Sequence, residues 1–375
     1  MASAARHPRR SASTARGRSP APAAPQRTGR ALIRSTSDHR RVGWMRLGLL
    51  AAARITGPAV VEPARIVPDV ELAAVAARSL VRAEEAAREW GVARAYGSYE
   101  ELIDDPEIDA IYIATPAALH HRWTLAALHA GKDVLCEKPM AANATEAREM
   151  VDAAADTGRI LMEAFHWRYH PLVAQIDDIL RGDRLGTLRH VHGRFDLPEG
   201  HIPAGDIRWD LSLGGGALMD LGCYLLQWVR WAVGAEPEVT SAAAECPVPG
   251  VDGRFTSELA WASGVSGSIM CSMISTGPPD VRLELTGDSA TANITNPLAP
   301  QHGARIEIRT GDHVEEFTVD GHDTTTYQHQ LAAFVDAVST RVPPLTSGVD
   351  SVATMALIDA CYTAAGLAPR PSLAS

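Results

Sequence analysis

Cysteine is scarce in this chain of 375 residues. The five present, Cys136, Cys223, Cys246, Cys271 and Cys361, are scattered and odd in number, and no two form a CxxC pair. That spacing signals neither a disulfide framework nor a structural zinc site, so a reducing cytoplasm is the plain expectation. No cluster of His, Cys, Asp and Glu has metal-ligand spacing, and metal-free chemistry is expected. No apolar run reaches the roughly 20 residues of a membrane span. Basic charge is also short: 35 Lys and Arg against 45 Asp and Glu leave a formal net charge of −10. That balance argues against nucleic acid, whose phosphates want a basic surface. A hydrophobic fraction of 46% with 21% charged residues describes an ordinary globular chain, long enough for two domains with sizeable cores.

Residues 1–45 differ from the rest. They are rich in Arg, Ser, Ala and Pro, with ten arginines and a single acid, Asp38. Such a segment cannot bury a core and is expected to be disordered. Three readings compete for it: a translation-start artefact with the true start at Met45, a dispensable basic tail, or a targeting peptide. The third is set aside because Arg46 and Arg54 bracket the apolar stretch Leu47–Ala53, which serves better as the first strand of the fold.

From Arg46 the pattern becomes regular. Apolar runs of strand length (46–50, 70–77, 110–114, 133–136 and 160–164) alternate with helical periods (58–66, 80–90, 99–103, 119–130 and 144–157). Continuous apolar strands joined by helices predict a doubly wound parallel sheet, which binds ligands at the carboxyl ends of its strands. The first strand-to-helix turn is where a phosphate-binding glycine fingerprint belongs. Here Ala51, Ala53 and Thr56 occupy its three glycine positions. Alanine at the first is expected to strain the tight turn, and an ordinary turn without ligand remains open there. About 20 residues on, where a carboxylate would hold the ribose of NAD, the chain has no acid. Arg78 and Ser79, with Arg82 nearby, could instead hold a 2′-phosphate. That favours NADP, with NAD still open.

Three later segments carry a resemblance. They are Cys136-Glu137-Lys138-Pro139, the run Met162–Pro171 (MEAFHWRYHP), and the run Gly214–Tyr224 (GGGALMDLGCY). In order and spacing the chain resembles the glucose–fructose oxidoreductase/inositol dehydrogenase (Gfo/Idh/MocA) family from about Arg46 to about Leu367. Tyr224, where many members have His, is similar to the branch of dihydrodiol dehydrogenases, NADP-xylose dehydrogenases and glucose–fructose oxidoreductase. Gln227 stands where Asp or Asn is common, a departure that touches contacts to a substrate hydroxyl. The resemblance implies an α/β fold: a Rossmann domain over residues 46–165, then an α/β domain over 166–375 with a large open, mostly antiparallel sheet. That sheet often serves as an oligomer interface, so a homo-oligomer, dimer or tetramer, is expected.

The activity so implied is hydride transfer between a nicotinamide dinucleotide and a sugar or polyol-like alcohol or carbonyl. Oxidising an alcohol needs a hydride acceptor, a group to take the hydroxyl proton, and tolerance of transient charge. Lys138, at the carboxyl end of a parallel strand, would hydrogen-bond the reacting oxygen; the rival reading is a surface lysine. The resemblance implies a cis bond before Pro139. Tyr224 is the expected general acid/base, its phenol made more acidic by a lysine ammonium close by; the rival is a buried structural tyrosine. Asp220, one helical turn earlier, shares its face, and the three glycines before it would admit a close-approaching substrate. Arg168 and His170 are assigned to the substrate pocket against a packing alternative. Expected cofactor contacts are Ala51, Ala53, Arg54 and Ile55, then Arg78 and Ser79, Thr115, Pro116 and His120 of a TPxxxH stretch, and Glu137 with Lys138. The alternatives carried are a trans-dihydrodiol dehydrogenase and a non-catalytic NADP-binding regulator.

Overall fold

The computed structural model describes residues 44–321 and 323–373. The basic leader therefore lies outside the described residues except for Trp44 and Met45. Two sheets organise the chain. The first has strands β1 (Met45–Leu50), β2 (Val70–Ala76), β3 (Arg94–Tyr96), β4 (Ala110–Ile113), β5 (Asp133–Cys136) and β6 (Leu161–Glu163) in the order β3-β2-β1-β4-β5-β6. Every pairing in it is parallel. β4 and β5 are buried along their whole length, which explains their unbroken apolar runs. β3 escaped the sequence reading because it is three residues long, half-buried and at the sheet edge.

The connecting helices obey their termini. In α2 (Leu80–Trp90) the Ser79 hydroxyl accepts from Arg82 N, and Gly91 closes the helix with φ of 71°. In α5 (Ala144–Thr157) Asn143 accepts from two backbone amides and Gly158 takes φ of 63°. α3 (Tyr99–Ile103) and α4 (His120–His129) complete the covering layers. The first crossover departs from the regular helix expected over 58–66: a π-helical turn at Gly57–Val61 runs into α1 (Glu62–Ala64).

The second sheet has eight strands: β7 (Leu188–Pro198), β8 (Glu238–Glu245), β9 (Arg254–Ala260), β10 (Ser266–Ser275), β11 (Asp280–Gly287), β12 (Thr291–Thr295), β13 (Arg305–Thr310) and β14 (His313–Phe317). Their order is β14-β13-β12-β11-β7-β10-β9-β8, antiparallel throughout except for β7 beside β10. The expected mostly antiparallel sheet is thus present. Its strands alternate as a one-sided sheet should: Val191, Phe195, Ile269, Cys271, Leu283, Leu285, Ile306 and Ile308 are buried. Helices α6 (Leu172–Arg181), α7 (Cys223–Val233), α8 (Thr326–Thr340) and α9 (Val349–Ala364) complete the chain. α7 packs on β7, α8 packs on Gly57–Val61 and on residues 166–169, and α9 packs on both β8 and α5, tying the two sheets together. A π-helical turn, Leu218–Gly222, leads into α7.

Candidate active site

The parallel sheet reverses its strand order between β1 and β4, the point beyond whose carboxyl ends open α/β sheets bind their ligands. The turn after β1 holds Ala51 at φ of 94°, a left-handed conformation that glycine adopts freely and alanine does not. The glycine-like turn is therefore made at a cost of about 1–3 kcal/mol. Thr56 helps hold it: its hydroxyl donates to the Ala51 carbonyl at 3.4 Å and its amide to Ala53 O at 3.1 Å. Arg54 is exposed and Ile55 half-buried. Arg78 is exposed beyond β2, Ser79 caps α2, and Arg82 reaches back to donate to Ala52 O at 3.4 Å. Beyond β4 the hydroxyl of Thr115 is buried and has no hydrogen-bond partner among the described residues. An unpartnered buried hydroxyl at a switch point is what a bound polar ligand would satisfy.

The loop after β5 supplies the charged centre. Tyr112 donates to Glu137 Oε1 at 2.7 Å, and Glu137 Oε2 accepts the Lys138 amide at 3.2 Å. Burial pushes the Glu137 carboxyl up despite those donors. The Lys138–Pro139 bond is cis. Lys138 Nζ donates to both Oδ1 and the carbonyl of Asp220, each at 2.8 Å, and lies 4.9 Å from the centre of the Tyr224 ring. Asp220 Oδ2 accepts Arg208 Nε at 2.6 Å, Arg208 donates on to Asp206 at 3.0 Å, and Arg54 meets Asp206 at 3.4 Å. Burial raises the Asp220 carboxyl, but Lys138 and Arg208 outweigh it and bring it down to about 2. Burial likewise lowers the Lys138 ammonium, and Asp220 more than restores it. The centre is thus an ionised chain of alternating sign.

Tyr224 departs from expectation in one respect. Burial, with Tyr327, Glu137, Cys223 and Asp220 adding to it, pushes its phenol well above its ordinary value. The expected acidification by Lys138 does not occur, because the ammonium lies over the ring face and is neutralised by Asp220. The phenol oxygen instead pairs with His166 Nε2 at 3.3 Å.

Four other residues singled out in the sequence have neighbours inside the fold. Arg168 stacks on Trp167 and Trp231, with its guanidinium carbon 5.6 and 5.2 Å from their rings. His170 spends both ring nitrogens on the backbone, at Gly321 O and Leu172 N. Gln227 accepts from Trp167 at 2.8 Å and donates to Asp350 at 3.3 Å, so its amide is taken up inside the fold. His120, placed among cofactor contacts, is fully buried and braces Thr115 O to Pro139 O at 2.8 and 2.9 Å. It positions the two loops that carry Thr115 and Lys138.

The triple glycine also has another cause than substrate approach. A Cβ on Gly215 would lie 2.6 Å from Arg208 O. Gly216 has φ of 136°, and a Cβ there would collide with Arg370 and Asp252. Arg370, from the C-terminal tail, is buried and donates to Gly215 O at 2.7 Å, to Gly250 O at 3.0 Å and to Asp252. This clamp holds the loop that leads into the π-helical turn bearing Asp220 and the helix bearing Tyr224. Sequence reasoning missed Arg370, Arg208, Asp206, His166, Thr326 and Tyr327. His166 alone carried a signal, lying within the quoted run Met162–Pro171.

Comparison with known proteins settles the lineage. Residues 46–165 match the model of an oxidoreductase family with an NAD-binding Rossmann fold, and residues 173–293 match the GFO/IDH/MocA C-terminal domain. The chain belongs to the Gfo/Idh/MocA family. It is an oxidoreductase of that family, similar to D-xylose 1-dehydrogenase (NADP(+)) 2 of Haloferax volcanii at 36% identity over 323 residues, covering 86% of this chain and 97% of that one. A mouse (Mus musculus) trans-1,2-dihydrobenzene-1,2-diol dehydrogenase is 40% identical over 231 residues, 61% of this chain and 68% of its own. Among solved structures, KijD10, a 3-ketoreductase from Actinomadura kijaniata in complex with NADP and TDP-benzene, superposes with a TM-score of 0.78 at 27% identity. That match covers 86% of this chain and 98% of that one. Among the described residues no helix is long and apolar enough to cross a membrane, and no group of three or more His, Cys, Asp or Glu could hold a metal ion.

Proposed function

We propose that this protein transfers hydride between NADP(H) and a CH–OH carbon of a sugar or polyol, with Tyr224 and Lys138 handling the proton. The observation that carries the reading is the Lys138–Asp220–Tyr224 cluster beside the strand ends of the Rossmann sheet. The residues present fit a dinucleotide: a glycine-like turn at Ala51, an unpartnered hydroxyl at Thr115, and Arg78 with Arg82 where the ribose 2′ position would lie. A bound nicotinamide supplies or takes the hydride.

The rest is done by this chain. The buried phenol keeps its proton at neutral pH, which suits it to protonate a carbonyl oxygen as that oxygen gains negative charge. The phenolate so formed faces the Lys138 ammonium across the ring, and Asp220 fixes that ammonium in place. In the opposite direction the same oxygen takes the proton of the alcohol. A trans-dihydrodiol substrate is the second reading, favoured by the 40% identity to the mouse enzyme. The open face of the eight-stranded sheet, where Arg194 of β7 pairs with Asp280 of β11 and Arg282 with Asp280, would form the surface for a homo-oligomer.

Cofactor choice is tested by fluorescence titration. NADPH is expected to bind at least tenfold more tightly than NADH, and Arg78→Ala to remove most of that difference, since one charge-assisted phosphate contact accounts for about 1.5–3 kcal/mol. Equal affinities in the unaltered protein would refute the role given to Arg78.

A further inference from the structure

His166 has no assigned part in the chemistry, yet it is the only hydrogen-bond partner of the Tyr224 hydroxyl among the described residues. It lies in the 3₁₀ turn His166–Tyr169 that follows β6 and is 4% exposed. Its Nε2 is 3.3 Å from the Tyr224 oxygen, and its Nδ1 is 2.7 Å from the hydroxyl of Thr326, the first residue of α8. Tyr327 stacks on its ring at 4.1 Å between centres. Thr326 is fully buried, and its hydroxyl makes no other hydrogen bond among the described residues.

Those contacts leave one self-consistent placement of protons. A neutral imidazole carries hydrogen on one nitrogen only. Were it on Nδ1, the Thr326 hydroxyl would accept and its own proton would be buried with no acceptor. With the hydrogen on Nε2, Thr326 donates to Nδ1 and Nε2–H donates to the Tyr224 oxygen. The proton of Tyr224 then stays free for the substrate, and the phenolate left after its transfer is met by a ready hydrogen-bond donor. We infer that His166, held in one tautomer by Thr326, is a positioning residue that aims the Tyr224 proton at the substrate and stabilises the phenolate. The inference rests on the acid/base role of Tyr224.

Burial, and after it Lys138, lowers the imidazole to about 3, so it stays neutral through the working range. The titratable groups facing the pair are Lys138 and Glu137 from the loop after β5, Asp220 from the turn Leu218–Gly222, Cys223 at the start of α7, and Tyr327 from α8. The imidazole carries no charge in either oxidation direction: it offers a dipole that is already aligned, and this kind of preorganisation requires no rearrangement during the reaction.

Nitrogen NMR of isotope-labelled histidine in the full chain reads the tautomer directly, with His166→Phe assigning the signal. The expected spectrum shows protonated Nε2 and bare Nδ1; a protonated Nδ1, or a ring averaging between tautomers, overturns the inference. Thr326→Val is expected to lose the fixed tautomer and to lower kcat roughly tenfold with the cofactor KM unchanged, and Thr326→Ser to recover both. If Thr326→Val leaves kcat intact, or raises the cofactor KM instead, Thr326 and His166 serve packing alone. The spectrum does not depend on turnover, so failure of the tautomer is distinguishable from failure of the catalytic reading.

Discussion

Replacing Tyr224 by Phe is expected to lower turnover by roughly 10²–10⁴-fold, the range over which a positioned general acid or base contributes, while NADPH binds as before. The substitution is conservative in space. The ring keeps its edge contacts with Phe165 and His166, at 5.4 and 5.8 Å between centres, and the Lys138 ammonium keeps its place over the face. Only the oxygen and its bond to His166 are removed. Lys138 is held by two bonds to Asp220 that do not involve Tyr224, so the charged centre survives. Steady-state kinetics with a fluorescence titration of NADPH separates the two effects. Full activity in Tyr224→Phe would remove the phenol from the proton path.

The second large effect concerns stability. Arg370→Ala is expected to destabilise the fold by about 3–5 kcal/mol, the usual cost of removing one partner of a buried ion pair. Asp252 has no exposure and would be left with a buried charge. Burial already pushes its carboxyl up, and Arg370 is the largest influence opposing that. Tyr362, which donates to Asp252 at 2.9 Å, and Leu218 N at 2.7 Å cannot neutralise it. The carbonyls of Gly215 and Gly250 would lose their donor as well. Because Gly215 and Gly216 open the segment that leads to Asp220, activity is expected to fall with stability. Urea denaturation measures the change, and a loss below about 1 kcal/mol, the value of an exposed pair, would show that the clamp carries no load.

The fold was legible where burial is complete or a terminus is marked. α2, α3 and α5 begin and end where the helical periods place them. The buried strands of the parallel sheet are recognisable because both faces demand apolar residues. β3 was not, since an edge strand of Arg94–Tyr96 needs neither alternation nor full apolarity. The π-helical turns before α1 and α7 leave no trace in the pattern of apolar residues.

At the site, the sequence names residue types but not where their hydrogen bonds go. Lys138, Asp220 and Tyr224 are legible because a motif carries each and the fold brings them together. His170, Gln227 and His120 also lie in motif-like positions, yet each has its polar atoms committed to neighbours inside the fold, and Arg168 stacks on Trp167 and Trp231. Nearness was also too coarse a guide for Tyr224. An ammonium over a ring face and paired with a carboxylate does not acidify the phenol as one beside its oxygen would. Arg208, Thr326 and Arg370 act across 12, 160 and 155 residues of chain, and no local pattern announces such contacts.

The central claim is that this cleft performs hydride chemistry rather than merely holding a coenzyme. Absorbance of the reduced cofactor, followed with purified protein and NADP⁺ across aldoses, polyols and dihydrodiols, addresses it most directly. The account predicts NADPH formation with at least one of these classes. Tight NADPH binding with no turnover of any of them, nor of their carbonyl counterparts in reverse, would contradict it and leave a coenzyme-binding regulator in its place.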